Sequence, residues 1–285
     1  MPIRALLVAM LAAVAAGQDL PVTGIAGVGV MTSSLERARR FYSGALGFSE
    51  AFSLKDERGR VVSSFFKVND EQYIQVTEAP YGDIRMAYVA VLTPDLDALR
   101  KMLLKRGVIP SPITQNPDGS RVSSLKDPDG MRIEFVARTP ESLQAKSRGQ
   151  YLSEQRVSRT LWHVGIASAD LARSAAFYTG KLGFQEFWRA AQAGTETRWV
   201  QLRIPGERGD VLELTLSDGR ESYPSMQHIC LIVPDVKAAI QKLAENGYPG
   251  AEKLQWRFWR NGRRALDLTD PDGTRVELME PRQPR

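Results

Sequence analysis

Two histidines stand in similar strand-like runs of the second half of the chain, and they are the only histidines among its 285 residues. His163 lies in "TLWHVGIASAD" and His228 in "MQHICLIVPD". An imidazole can bind a metal ion or transfer a proton near neutral pH. A single histidine on a sheet would be explained as an ordinary hydrogen-bonded residue. The interpretation therefore depends on the secondary-structure elements that position the two histidines.

The composition excludes several classes of protein. The hydrophobic fraction of 43% suffices for a buried core, and the net charge of +5 is carried by dispersed basic residues rather than by a basic patch. We therefore expect a small-molecule partner and no nucleic acid. The single cysteine, Cys230, excludes a disulfide framework and a multi-cysteine metal site.

The first residues have the layout of a secretory signal. Arg4 precedes an apolar run over Ala5–Ala16, and small residues follow. The run is too short for a permanent transmembrane anchor, although a buried first helix or strand is an alternative. We expect a signal peptide over residues 1–17 and an exported (periplasmic or secreted) protein without a membrane anchor after cleavage.

Two motifs occur twice and reveal a duplication. "FYSGALGF" at Phe41–Phe48 returns as "FYTGKLGF" at Phe177–Phe184, and "DPDGMRIEF" at Asp127–Phe135 returns as "DPDGTRVEL" at Asp270–Leu278. The repeat predicts one domain over residues 24–138 and a second over residues 160–282. The polar residues 139–159 between them lack a strand pattern and are predicted to be a linker.

Each half is itself doubled. A strand leads into an amphipathic helix, the helix ends at a glycine, and three strand-like runs follow. The four glycines at these predicted helix ends are Gly47, Gly107, Gly183 and Gly247. "DPDG" predicts a tight turn between two of the strands. The predicted fold is α+β, with four βαβββ modules.

These motifs resemble those of the vicinal oxygen chelate superfamily, which includes glyoxalase I, bleomycin-resistance proteins and type I extradiol dioxygenases. The resemblance covers residues 24–280. It implies two tandem domains, each an eight-stranded curled mixed sheet with helices outside and a cleft for a metal or ligand.

The family's metal ligands lie on the first and fourth strands of each module. Carried over to the second half, this pattern implies His163, Glu213, His228 and Glu277 as ligands of one divalent ion (Zn, Fe, Mn, Ni or Co). Glu213 follows His163 by 50 residues and Glu277 follows His228 by 49, so the two pairs are consistent.

Strand alternation provides an independent test, because neighbouring side chains point to opposite faces of a sheet. Apolar residues alternate with each of the four candidates, so all four are predicted to project into the cleft rather than toward the helices. The predicted helix-side residues are Trp162, Val164, Ile166, Leu212, Leu214, Leu216, Ile229, Leu231, Val233, Val276 and Leu278. Buried charged groups of this kind need a partner, and a divalent ion would supply one.

The corresponding positions of the first half are Gly27, Gln75, Tyr88 and Glu134. Glycine cannot bind a metal through a side chain, and tyrosine is an uncommon ligand. We therefore predict a degenerate site in the first domain and one complete site within the second, an arrangement that resembles the dioxygenases. The chain is expected to be a monomer or a homodimer.

The resemblance implies a metal-dependent enzyme. The leading hypothesis is a glyoxalase-like lyase or isomerase that acts on a small vicinal-oxygen compound through a metal-chelated enediolate, with Glu213 or Glu277 as the catalytic base. Glyoxalase I itself requires glutathione, a cytosolic thiol, so an exported chain is expected to use another substrate.

Two alternatives remain. In an extradiol dioxygenase, His163, His228 and Glu277 would hold Fe(II). That family has a tyrosine where this chain has Asp267, and it uses further histidines that this chain lacks. In a non-catalytic, bleomycin-resistance-like binding protein, cleft residues would hold an organic anion or a flat ligand. The candidates for that contact are Trp199, Trp256, Trp259 and Arg264, for which ordinary packing is the competing explanation.

Overall fold

A computed structural model describes residues 19–79, 85–191, 196–217 and 226–281. The predicted signal peptide, residues 1–17, lies outside these ranges. Among the residues that are described, no helix combines the length and apolar character needed to cross a membrane.

The first domain contains eight strands and two main helices. In chain order these are β1 (Gly24–Thr32), α1 (Leu35–Arg39, continued by a π-helical turn over Arg40–Ala45), β2 (Glu50–Lys55), β3 (Val61–Lys67), β4 (Tyr73–Glu78), β5 (Met86–Leu92), α2 (Leu96–Lys105), β6 (Thr114–Gln115), β7 (Arg121–Lys126) and β8 (Arg132–Ala137). The short helix α3 (Leu143–Lys146) follows in the segment predicted to be a linker.

The second domain repeats this order. Its elements are β9 (Thr160–Ser168), α4 (Leu171–Gly180), β10 (Gln185–Ala191), β11 (Thr197–Arg203), β12 (Val211–Leu216), β13 (His228–Ile232), α5 (Val236–Glu245), a 3-10 turn (Ala251–Lys253), β14 (Arg257–Phe258), β15 (Arg264–Thr269) and β16 (Arg275–Met279).

The two sheets have the same topology. Their strand orders are β2-β3-β4-β1-β5-β8-β7-β6 and β10-β11-β12-β9-β13-β16-β15-β14. In each sheet the first strands of the two modules pair antiparallel at the centre, and each pairs in parallel with the last strand of its own module. The α+β fold of four βαβββ modules in two tandem curled sheets is confirmed.

Local sequence signals explain the four long helices. The side chain at each start accepts a hydrogen bond from the backbone N–H three residues later, which satisfies a donor that the helix leaves open; these caps are Ser34, Asp95, Asp170 and Asp235. Each of the four predicted helix-end glycines has a positive φ, between 71° and 79°. Glycine adopts this left-handed conformation without the steric cost of a Cβ, so it ends the helix.

The repeated motifs join the domains. The Tyr42 hydroxyl, in the first "FYxG" motif, donates to Asp270 in the second "DPDG" turn at 3.0 Å, and Tyr178 donates to Asp127 at 2.9 Å in the reciprocal contact. One continuous cluster of buried apolar side chains includes the helices and the helix-side faces of both sheets. The tight turn was predicted, whereas its contact with the other domain was not.

Candidate metal centre

The four candidate ligands come from four adjacent strands at the centre of the second sheet. His163 and His228 lie on β9 and β13, the two central antiparallel strands, while Glu213 and Glu277 lie on β12 and β16 beside them. The parallel and antiparallel registers place them in two neighbouring rows across the sheet. All four side chains are at most 1% exposed.

Their ligand atoms converge. His163 Nε2 lies 2.8 Å from His228 Nε2 and 3.6 Å from Glu277 Oε2. His228 Nε2 lies 3.6 Å from Glu213 Oε1 and 4.0 Å from Glu277 Oε2. Tertiary structure thus brings together four residues that are spread over more than one hundred positions of the sequence.

A glycine makes the approach of His228 possible. Gly165 faces both His228 and Glu213 across the central strands. A Cβ at Gly165 would lie 1.9 Å from the imidazole Cε1 of His228. Non-bonded heavy atoms cannot lie so close, so any larger residue at position 165 would displace the imidazole.

Neighbouring groups orient two of the ligands. His228 Nδ1 lies 3.0 Å from the carbonyl oxygen of Met226, and donation to that oxygen leaves Nε2 with a lone pair toward the cluster. Gln201 on β11 donates to Glu213 Oε2 at 2.7 Å, which leaves Oε1 directed at the cluster. Contacts of this kind fix a ligand before the metal arrives.

Four polar atoms of the cluster lack a hydrogen-bond partner among the described residues. His163 Nδ1, Glu213 Oε1 and both carboxylate oxygens of Glu277 are buried without a hydrogen bond among the described residues. Unpaired buried polar groups cost free energy, and most native proteins avoid them. Two imidazoles and two carboxylates form a donor set for Zn, Mn, Fe(II), Co or Ni, so these residues fit a divalent ion.

Burial also dominates the protonation of the metal-free cluster. It lowers the pKa of His163 to about 3, assisted by the charges of Arg275 and Arg263, and it lowers the pKa of His228 well below the usual value. It raises the pKa of Glu277 to about 8, against the opposing charge of Arg275, and raises the pKa of Glu213 as well. All four groups are therefore held toward their neutral forms until a cation compensates the carboxylates.

One predicted face is wrong. The apolar residues opposite the candidates do lie in the core with the helices, except that Trp162 does not. A register shift in the pairing of β9 with β13 places Leu161 in that core and Trp162 on the cleft side, 4.9 Å from the His163 ring. A bulge adds one residue between the two strand faces and breaks strict alternation.

The four residues predicted to contact a substrate separate into two pairs. Trp199 and Trp259 lie on the cleft side with their ring centroids 6.3 Å apart. Trp256 packs instead against the core shared with the helices, and Arg264 pairs with Glu280 at 2.8 Å and with Asp235 at 3.4 Å. Trp256 therefore lies with the helix-side core beside Arg264, and substrate contact stays a prediction for all four residues.

Three residues near the cluster were missed. Gln201 interrupts the apolar pattern of β11, and alternation with the buried Val200 and Leu202 could have placed it beside Glu213. Cys230 follows His228 by two residues on the same strand and faces both His163 and Glu277 in the registers of the sheet. Arg260 follows Trp259 immediately, but its position over the Trp199 ring arises only from the curvature of the sheet.

The equivalent centre of the first sheet is differently built. Tyr88 occupies the space that His228 takes in the second domain, donating its hydroxyl to Gln75, which in turn donates to Ser63 at 2.9 Å. Glu134 pairs with Arg132 at 2.8 Å. Helix α3 covers this cleft, where the Gln144 side chain donates to Asp118 at 2.7 Å. The segment predicted to be a linker therefore closes the first cleft.

Comparisons with known proteins agree with this architecture. The profile of the Glyoxalase/Bleomycin resistance protein/Dioxygenase superfamily matches residues 24–135 and 160–278. A search of curated proteins found no match.

Solved structures with the same fold include several ring-cleaving enzymes. The 2,3-dioxygenase LapB from a Pseudomonas species superposes with a TM-score of 0.67 at 16% identity, covering 93% of this chain and 95% of that one. An extradiol ring-cleaving dioxygenase from B. fuscum has a TM-score of 0.69 at 17% identity, with 94% and 74% covered. For the 2,2',3-trihydroxybiphenyl 1,2-dioxygenase from Sphingomonas wittichii the values are 0.65 and 16%, with 91% of each chain covered.

At these identities the structural likeness concerns the fold alone. The profile, by contrast, matches both halves of the sequence over most of their length. The chain therefore belongs to the glyoxalase, bleomycin resistance protein and dioxygenase superfamily.

Proposed function

We propose that the chain is a metal-dependent enzyme whose second domain acts on a small compound with two neighbouring oxygen atoms, as a glyoxalase-like lyase or isomerase. The observation that carries this proposal is the convergence of His163, Glu213, His228 and Glu277 with four of their buried polar atoms unpartnered. When bound there, a divalent ion would act as a Lewis acid on the two substrate oxygens.

The two carboxylates have different surroundings, which supports different roles. Glu213 is held through Oε2 by Gln201, so its other oxygen is fixed as a ligand. Glu277 has no amide donor of this kind and lies beside the Cys230 thiol, so it is less constrained than Glu213. We assign to Glu277 the transfer of a proton at the carbon beside a substrate carbonyl.

Proton exchange tests this proposal without knowledge of the natural substrate. The chain, loaded in turn with Zn, Mn, Co or Ni, is incubated with hydroxyacetone in D2O, and loss of the proton signal beside the carbonyl is followed by NMR. Exchange in the wild type, its loss in Glu277→Gln and retained metal in that variant are expected. Metal-loaded wild type that catalyses no exchange would contradict the proposed chemistry.

A dioxygenase is the second candidate, and the two-domain fold shared with ring-cleaving enzymes favours it. His163, His228 and Glu277 would then hold Fe(II). The absence of a third histidine from the sequence and the presence of Asp267, paired with Arg257 at 2.5 Å, count against this function. Anaerobic loading with Fe(II), followed by catechol and oxygen, separates the candidates, because ring cleavage gives a yellow product.

Export remains a prediction that depends on residues 1–17. Its test is the location and mass of the chain expressed in a bacterium with an outer membrane. A periplasmic product shortened by about 17 residues is expected, whereas a full-length cytoplasmic product would contradict it.

A further inference from the structure

The curl of the second sheet brings its two ends close together, with the Trp199 and Trp259 ring centroids 6.3 Å apart. Trp199 lies on β11 near one end, and Trp259 follows β14 at the other. The Arg260 guanidinium lies 3.8 Å from the Trp199 ring centroid and 5.5 Å from that of Trp259. The Arg260 guanidinium therefore contacts both tryptophan rings.

The tryptophans connect this position to the candidate metal ligands. Trp259 and Trp162 pack against a small cluster of buried residues that includes Cys230. Cys230 lies within 4.8 Å of the ligand atoms of His163 and Glu277, measured from its sulfur. Packed side chains thus connect the position of Arg260, through Trp259 and Cys230, with the candidate metal ligands.

Four arginines of this segment lie over indole rings, one of them Arg263 at 4.0 Å from the Trp162 ring centroid, and the other three differ in their charge partners. Arg264 lies over Trp256 and pairs with Glu280 and Asp235. Arg257 lies over Trp259 and pairs with Asp267 at 2.5 Å. Arg260 lies over two rings and pairs with no carboxylate among the described residues.

Stacking uses the flat face of a guanidinium and leaves the N–H groups on its edge available. These donors match the two oxygens of a carboxylate. Stacking on two indole rings already restricts the Arg260 side chain, so less conformational entropy is lost when a carboxylate binds.

We propose that Arg260, clamped between Trp199 and Trp259, binds a carboxylate of the substrate, which is therefore an organic anion whose charged group is separate from its two metal-binding oxygens. The second half of this statement rests on the proposed function, whereas the carboxylate site does not.

Three probe molecules separate the two parts. 3,4-Dihydroxybenzoate has both a carboxylate and neighbouring oxygens, 4-methylcatechol has only the oxygens, and benzoate has only the carboxylate. Their dissociation constants are measured by calorimetry on the metal-loaded chain and on the Arg260→Gln, Arg260→Lys and Arg257→Gln variants. Arg257→Gln is the matched control, because Arg257 lies over the same Trp259 but already has a carboxylate partner.

Arg260→Gln is expected to weaken the binding of 3,4-dihydroxybenzoate and of benzoate by about 10- to 100-fold, the range for a lost charged hydrogen bond. The dissociation constant of 4-methylcatechol should not change. Arg260→Lys should fall between the wild type and Arg260→Gln. Arg257→Gln should change each constant by no more than about threefold, as for an exposed ion pair. Thermal unfolding checks that the variants are folded.

The proposal is overturned if neither carboxylate binds the wild type measurably, if Arg260→Gln weakens all three probes equally, or if Arg257→Gln matches its effect. Failure of the metal proposal gives a different result. In that case elemental analysis finds no metal and 3,4-dihydroxybenzoate binds no more tightly than benzoate, while benzoate still depends on Arg260.

Discussion

The centre of the first sheet and the centre of the second differ in how their buried polar groups find partners. In the first domain, Tyr88, Gln75 and Ser63 form a chain of hydrogen bonds, and helix α3 packs over them. In the second, the equivalent strands bring together His228, Glu213 and their neighbours with four polar atoms unpartnered.

The difference shows how one backbone supports two outcomes. Gly29 and Gly165 occupy equivalent places on the central strands, and a Cβ at either would strike the ring opposite, of Tyr88 or His228. The space under the ring is thus the same in both domains. The phenol of Tyr88 and the amide of Gln75 satisfy each other by a hydrogen bond. Imidazoles and carboxylates in the second domain instead form a set of candidate ligands for a cation.

Removal of one imidazole should have the largest effect on the difference between the two domains. His163→Ala removes a candidate ligand from the second domain, and we expect the metal content to fall from about one ion per chain to near zero. Elemental analysis of protein purified without chelator measures it. Tyr88→Phe, at the equivalent centre of the first domain, should leave the metal content unchanged, and a loss there would show that the first sheet contributes to the site.

Gln201 and Gln75 provide a second comparison. Gln201→Leu removes the donor that holds Glu213 and should weaken metal binding about 10- to 100-fold, as is typical for groups that orient a ligand. A competition titration against a chelator indicator measures the affinity. Gln75→Leu is the control in the first domain, for which we expect unchanged metal affinity; equal effects of the two variants would contradict the assignment.

The stability of the metal-free chain should depend on pH through Glu277. Its pKa is raised to about 8 in the folded chain from 4.5, so between these values the folded state binds more protons than the unfolded state. The free energy of unfolding therefore falls as pH rises through this window. Above pH 6.5 the buried histidines no longer oppose the trend, because their unfolded forms are then neutral.

We expect a loss of about 2 kcal/mol between pH 6.5 and pH 8, measured by urea unfolding with a chelator present. Glu277→Gln should abolish most of this loss, and saturating metal should do the same in the wild type. Glu134→Gln is the matched variant of the first domain and should have a smaller effect, because Arg132 already lies 2.8 Å from Glu134. A slope that is the same in wild type and Glu277→Gln would refute the assignment.

The reciprocal tyrosines should give the smallest effect and the most symmetrical one. Tyr42→Phe and Tyr178→Phe each remove a buried hydrogen bond to an aspartate of the other domain, and each should cost about 1–2 kcal/mol of unfolding free energy. Equilibrium urea unfolding measures both. A large difference between the two variants, or a loss of metal in either, would show that the contacts do more than join the domains.

Much of the fold could be predicted from the sequence, because its signals are local. Cap residues such as Asp95, stop residues such as Gly107 and the alternation of apolar side chains depend on backbone conformation within a few positions. The duplicated motifs extended these signals to the number and order of the strands. The four candidate ligands came from the family resemblance, and the alternation of side chains along each strand supported them.

Other features required contacts that span the chain. The bulge that moves Trp162 into the cleft depends on the pairing of β9 with β13, and the separation of Trp256 from Trp259 depends on how β14 meets the curled sheet. The first "DPDG" turn holds a tyrosine of the second domain, although nothing near Asp127 in the sequence indicates that partner.

The sequence by itself determined the repeated modules, the helix ends and the residue types available for a metal, since each follows from the chemistry of short segments. Only the tertiary structure decided which polar atoms lack partners among the described residues and that Arg260 lies over two indole rings without a carboxylate partner there. Whether a polar atom has a partner depends on all of its neighbours. These neighbours come from distant strands and meet only once both sheets have curled and packed.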